Sequence, residues 1–237
     1  MKKIIILAFF GFVTQIGTAQ NVETFFNKAD SFLSKHVKNG KVAYADIKNN
    51  TAELDAILEL AKEISVPKSN AKAYQAFWIN GYNLTVIQSV VKNYPMKSPL
   101  DKAGFFDKTK HRIGGKSITL NDIENKQLRG GFPEESRFHF VLVCAGLGCP
   151  PIINGAYNPS TLERQLQEQT IKAINNPSFI QVQKNKVKIS QIFEWYKGDF
   201  IKNGSLVAYI NTYRKEKLPA NAKVSYYPYD WTLNDLK

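Results

Sequence analysis

Apolar positions in the first third of the chain recur at helical spacing. Phe25, Phe26, Ala29, Phe32, Leu33 and Val37 repeat every three to four residues and stop at Gly40. A second helix is predicted to open at Asn50 with Glu53 three residues on, the spacing of a capping box. A third runs from about Lys72 to Asn93 and must end before Pro95. Phe77, Trp78, Leu84, Ile87, Val90 and Val91 make it apolar on most faces, so it is predicted to be the central buried helix.

Beyond Pro95 the pattern shortens. His111 to Thr119 reads as a hairpin turning at Gly114 and Gly115, followed by a short helix opened by Asn121 with Glu124 in capping position. Phe138 to Cys144 is predicted as a buried strand. Asn158 as N-cap with Pro159 at the first helical position begins a helix to about Asn175. The strands Phe179 to Gln183 and Val187 to Ser190 flank a turn at Lys184 and Asn185. A helix holding Trp195, Tyr196 and Phe200 follows, then one from Ser205, then the aromatic run Tyr226, Tyr227, Tyr229 and Trp231. This order predicts an α+β fold, with helices packed on a small, mostly antiparallel sheet. No repeat or long linker marks an internal boundary, so a single domain is expected.

The N-terminus changes the picture of where this domain works. Lys2 and Lys3 precede the apolar run Ile4 to Val13, and Gly17 and Ala19 supply small residues at a cleavage position. Residues 1–19 therefore read as a signal peptide, cleaved near Ala19, and residues 20–237 as a periplasmic or secreted domain. The run is about ten residues long against the roughly 20 a membrane-spanning helix needs, so no transmembrane anchor is expected. The charge takes its meaning from that location. The 32 basic residues less Lys2 and Lys3 stand against 20 acidic ones, a formal charge of +10. Inside a cell this balance would suggest nucleic acid; outside the membrane it suggests no nucleic acid but acidic envelope polymers, lipid head groups or acidic peptides. The lysines are spread out, and Lys184, Lys186 and Lys188 alternate like the exposed face of a hairpin, so a solvated surface is the expected reading.

Few residues can carry chemistry. The chain has three histidines and two cysteines with no HExxH or CxxC spacing, so neither a metal site nor a cofactor is expected. Asn80 and Asn83 lie one turn apart inside the apolar helix, where buried amides must find partners: they either tie the helix to neighbouring loops or orient a catalytic imidazole. Glu124 has a capping role open to it, and a catalytic one. His139 sits in an otherwise apolar run and is costly there unless paired. His36 and His111 read as helix-face and hairpin residues. Cys144 and Cys149 enclose Ala145, Gly146, Leu147 and Gly148, with Pro150 and Pro151 after them.

Four ordered blocks, AFWINGYN, SITLNDIENKQLR, RFHFVLVCAGLGCPPI and ISQIFEWYKGDF, resemble the family called domain of unknown function 547, from about Ala76 to Phe200 within a family-like core of about residues 70–203. The resemblance implies one domain and points to Asn80, Asn83, Glu124, His139, Cys144, Cys149 and Asp199. It also implies that some relatives carry Ser-Pro in place of Cys149-Pro150. Two functions remain open. One is a thiol-dependent hydrolase or acyl transferase acting on an extracytoplasmic amide or ester, with Cys149 as nucleophile, His139 as base, and Asn80, Glu124 or Asp199 orienting the imidazole. Cys149 is preferred over Cys144 because a helical turn opened by Pro150 would place it at an N-cap. The other is a non-catalytic binding module of the envelope with a structural Cys pair. An even number of cysteines in an oxidising compartment makes pairing of Cys144 with Cys149 an open alternative to two free thiols.

Overall fold

A computed structural model describes residues 10–202 and 204–237. Of the predicted signal peptide, residues 1–9 lie outside the described residues. Helix α1 (Phe10–His36) leads into a tight hairpin of β1 (Val37–Lys38) and β2 (Lys41–Val42), then α2 (Tyr44–Asn49) and α3 (Ala52–Glu63). Helix α4 (Ala71–Asn93) follows the sequence expectation to within a residue, and every residue from Ala76 to Ile87 is buried. A helix apolar on all sides has only the middle of a fold to occupy, and α1, α2 and α3 pack around it. Among the described residues no helix is long and apolar enough to cross a membrane.

The second hairpin pairs β3 (Lys110–Ile113) with β4 (Lys116–Thr119). Gly114 and Gly115 turn it with φ of 63° and 70°, values that cost glycine little. After α5 (Leu120–Asp122) the chain runs through a π-helical stretch, Ile123–Arg129, and a 3₁₀ turn, Ser136–Phe140. Helix α6 (Leu162–Ile174) precedes the three-stranded sheet of β5 (Ile180–Gln183), β6 (Lys186–Ser190) and β7 (Lys223–Tyr227). Between β6 and β7 lie α7 (Ile192–Trp195), α8 (Lys197–Phe200) and α9 (Leu206–Tyr213). β5 and β6 are antiparallel; β6 and β7 are parallel. The α+β architecture with mostly antiparallel sheets is therefore observed.

Several local expectations are corrected. Phe138 to Cys144 is not a strand: a 3₁₀ turn occupies its first half, and the second half has no neighbouring strand. An apolar run reports burial, not the partner that would make it a strand. The capping box at Asn50 does not form, because its backbone N–H bonds the carbonyls of Asp46 and Ile47 while Glu53 meets Lys35. Thr119, not Asn121, caps α5 through its hydroxyl, which accepts from the Asp122 N–H. Asn158 holds a turn through Ser160, and the helix proper begins at Leu162. The helix of Trp195 to Phe200 is broken at Tyr196 into α7 and α8.

Two clusters form the core. One gathers α1 to α4 and the second hairpin; the other packs the inner face of the three-stranded sheet against Phe140, Phe193 and Phe200. Cys149 packs against both.

Candidate functional site

β6 and β7 run in the same direction, and the chain leaving each carries the side chains that close a small cleft. From the end of β6 come Ile192, Trp195 and Tyr196; from the end of β7 come Tyr229 and Trp231. The opposite wall is built by the middle of the chain: Tyr82 of α4, Glu124 of the π-helical stretch, His139 of the 3₁₀ turn, and the pair Cys144 and Cys149. The cavity between them is about 70 Å³. Its rim is aromatic and open to solvent. Trp195 is 47% exposed and stacks on Trp231, ring centroids 6.1 Å apart.

His139 is the organising residue. Its Nε2 lies 2.8 Å from Asp199 Oδ2, and the same oxygen accepts from Arg129 Nε at 2.7 Å. The imidazole stacks on Tyr196 at 4.0 Å and meets the edge of Phe200. The Arg129 guanidinium lies over the same Tyr196 ring, 4.7 Å from its centre. The His139 hydrogen bond, with Arg129 adding to it, holds the Asp199 carboxyl well below the usual carboxylate range. Asp199 is thus an anion that fixes the ring through Nε2. Burial first, and then the negative charge of Glu124, pushes the Tyr196 phenol far above its ordinary value. Tyr229 is raised mainly by burial, so both phenols stay neutral donors.

Cys144 and Cys149 form a pair, with no free cysteine among the described residues. The Tyr229 hydroxyl lies 2.9 Å from the Cys144 sulfur and 2.8 Å from that of Cys149. The Cys149 sulfur also accepts the backbone N–H of Cys144 at 3.0 Å. No helix follows Pro150, so the expected N-cap position of Cys149 is not formed. A backbone N–H and a phenol stand where the helix dipole was expected. Between the cysteines the chain turns at Ala145, whose φ of 65° is rare for a residue with a side chain. The C-terminal segment holds this loop like a strap: Leu147 and Gly148 donate to Thr232 and Asp230, and Asn234 donates to Ala145. Any side chain at Gly148 would meet the Asp230 backbone and the Tyr229 ring.

Seven residues were singled out from the sequence, and five of them meet here. Glu124, His139, Cys144 and Cys149 line the cleft, and Asp199 bonds His139 from behind. Asn80 and Asn83 do not line it. Asn80 bonds the Ala76 carbonyl and both backbone groups of Tyr157, at 2.7 and 2.9 Å. Asn83 takes the Val141 carbonyl and the Val143 N–H, standing in for the missing strand beside Phe138 to Cys144. Sequence reasoning missed Tyr82, Arg129 and Tyr229, none of which has a signal beyond being an aromatic or basic residue in its segment. His111 lies apart on β3, where burial and then Lys92 lower its imidazole to about 4. Among the described residues no group of His, Cys, Asp or Glu is placed to hold a metal.

A family model described as "Protein of unknown function, DUF547" matches residues 66–172. The match takes in Tyr82, Glu124, His139 and both cysteines, and ends before the segment that carries Trp195, Tyr196 and Asp199. No curated protein and no solved structure matches the chain.

Proposed function

This chain belongs to the DUF547 family over residues 66–172, and we propose that it is a thiol-dependent hydrolase or acyl transferase acting on an extracytoplasmic amide or ester. The observation that carries this reading is one cleft lined by two cysteines and by a histidine whose far nitrogen is tied to a carboxylate. The working nucleophile is Cys149, and the Cys144–Cys149 pair is its masked state. Two external thiols, or one dithiol, reduce the pair: two S–H bonds form and the reductant leaves as a disulfide. Cys149 then passes its proton to His139 Nδ1, and Asp199 stabilises the imidazolium. The thiolate attacks the acyl carbon, the leaving amine or alcohol takes the proton back from His139, and a thioester remains. Water or an acceptor nucleophile, deprotonated by His139, releases the acyl group and restores the thiol. The Cys144 N–H, which donates to the Cys149 sulfur, favours the thiolate of Cys149 over that of Cys144, while the Tyr229 hydroxyl serves both sulfurs.

The export proposed from the N-terminal sequence fits the same chemistry, since an oxidising compartment would keep the pair closed until a reductant opens it. The second reading, a non-catalytic envelope binding module, is favoured by the strap of hydrogen bonds around the paired loop. The two separate on reduced protein exposed to p-nitrophenyl acetate. The enzyme reading expects release of nitrophenol with an acetyl adduct on Cys149 by peptide mass, lost in Cys149→Ser and slowed at least about tenfold in His139→Ala. An adduct distributed over both cysteines, with no dependence on His139, would favour the binding module.

A further inference from the structure

The outer face of the three-stranded sheet carries a charge arrangement that folding does not reward. The parallel register sets Lys186 of β6 directly beside Lys223 of β7. Two positions along, Lys188 lies between Gln181 of β5 and Ser225 of β7, and Gln183 stands across from Lys186. Alternation sends Val187 and Ile189 inward to the core and leaves all six of these side chains exposed. Like charges directly opposite on neighbouring strands destabilise a sheet. Among the described residues no ion pair involves Lys186, Lys188 or Lys223 to relieve them. The face is also concave. A cavity of about 300 Å³ opens over it, lined by these six side chains and Val224, with no acidic residue.

We propose that this cup is a binding site for an acidic polysaccharide, a chain that bears both carboxylates and hydroxyls. The three ammonium groups supply the positive potential, and the Gln181, Gln183 and Ser225 side chains supply neutral donors and acceptors that match sugar hydroxyls. A lipid surface fits worse, because the face is hollow and presents no large apolar side chain to insert. A phosphate site fits worse, because no guanidinium fork or backbone nest faces the cup. An acidic peptide would seek backbone partners, and those lie at a strand edge rather than on the face. The site is separate from the cleft and does not depend on the chemistry proposed there.

The test uses the full chain with its cysteines paired, and polygalacturonate as the probe. Binding is followed by calorimetry at about 50 mM salt, where surface charges are weakly screened. The expected result is saturable binding that weakens at least about tenfold in Lys186→Gln/Lys188→Gln/Lys223→Gln. The control Lys38→Gln/Lys41→Gln/Lys110→Gln removes the same charge elsewhere and is expected to bind like the parent. Neutral dextran is expected not to bind. The proposal is overturned by no binding to polygalacturonate, by equal loss in both triple variants, or by tighter binding to polyglutamate or to anionic phosphatidylglycerol vesicles.

Discussion

Two sets of buried polar side chains sit side by side in this fold and have opposite relations to the backbone. Asn80 and Asn83 on α4 spend their amides on main-chain groups of Ala76, Val141, Val143 and Tyr157. His139 instead pairs with Asp199, and Tyr229 with both cysteines, from three separate stretches of chain around a cavity. The first set replaces a sheet neighbour that α4 cannot offer, so it belongs to stability. The second brings a histidine and two cysteines to line one cleft, which is what chemistry requires. A buried polar residue is thus identified by what its hydrogen bonds reach, not by its burial.

The sharpest way to break this comparison is Asn83→Leu. It orphans one carbonyl and one N–H in the core, at a cost of about 3 kcal/mol in urea unfolding. The rate of Cys149 alkylation in the reduced variant is expected to stay near that of the parent. A large change in that rate with little loss of stability would move Asn83 into the second set.

Asp199→Asn comes next. The carboxyl is lowered first by His139 and then by Arg129, so its contribution to stability is present above the unfolded carboxyl value, near 3.9, and is lost as pH falls through the lower folded value. The variant is expected to lose about 2 kcal/mol at pH 7, and the gap to the parent should narrow below about pH 4. A gap independent of pH would show that Asp199 acts through shape alone.

Much of this was legible in the chain, for reasons particular residues show. α4 was readable because an apolar stretch ended by Pro95 has one interpretation, and the hairpin at Gly114 and Gly115 because only glycine suits both turn positions. The segment Phe138 to Cys144 was misread because its backbone partner is a side chain 58 residues away in sequence, between Asn83 and Val141. Five of the seven residues singled out from motifs belong to the site. Arg129, although it ends the block SITLNDIENKQLR, and Tyr229 were not singled out, because their roles exist only where α8 and the chain after β7 return to the middle of the sequence.

Two smaller effects sharpen the picture of the strap. Gly148→Ala drives a methyl against the Asp230 backbone, at 2.9 Å from its nitrogen, and is expected to cost about 1–2 kcal/mol. Faster reduction of the Cys pair by dithiothreitol should accompany it; unchanged reduction would separate the strap from access to the sulfurs. Tyr229→Phe removes only a hydroxyl between two sulfurs and is expected to cost about 1 kcal/mol or less. In the reduced protein its effect should fall on the alkylation rates of both thiols, which lose a shared donor; rates unchanged from the parent would leave the hydroxyl with no part in thiol reactivity.

The central claim is that His139 and its Asp199 partner activate Cys149, and the pH profile of iodoacetamide labelling in fully reduced protein tests it most directly. The account predicts that Cys149 labels with an apparent pKa well below the roughly 8.5 of a free thiol and faster than Cys144 at about pH 6. His139→Ala should return it to the ordinary range. Equal labelling of the two cysteines with ordinary thiol profiles, unchanged in His139→Ala, would contradict the account.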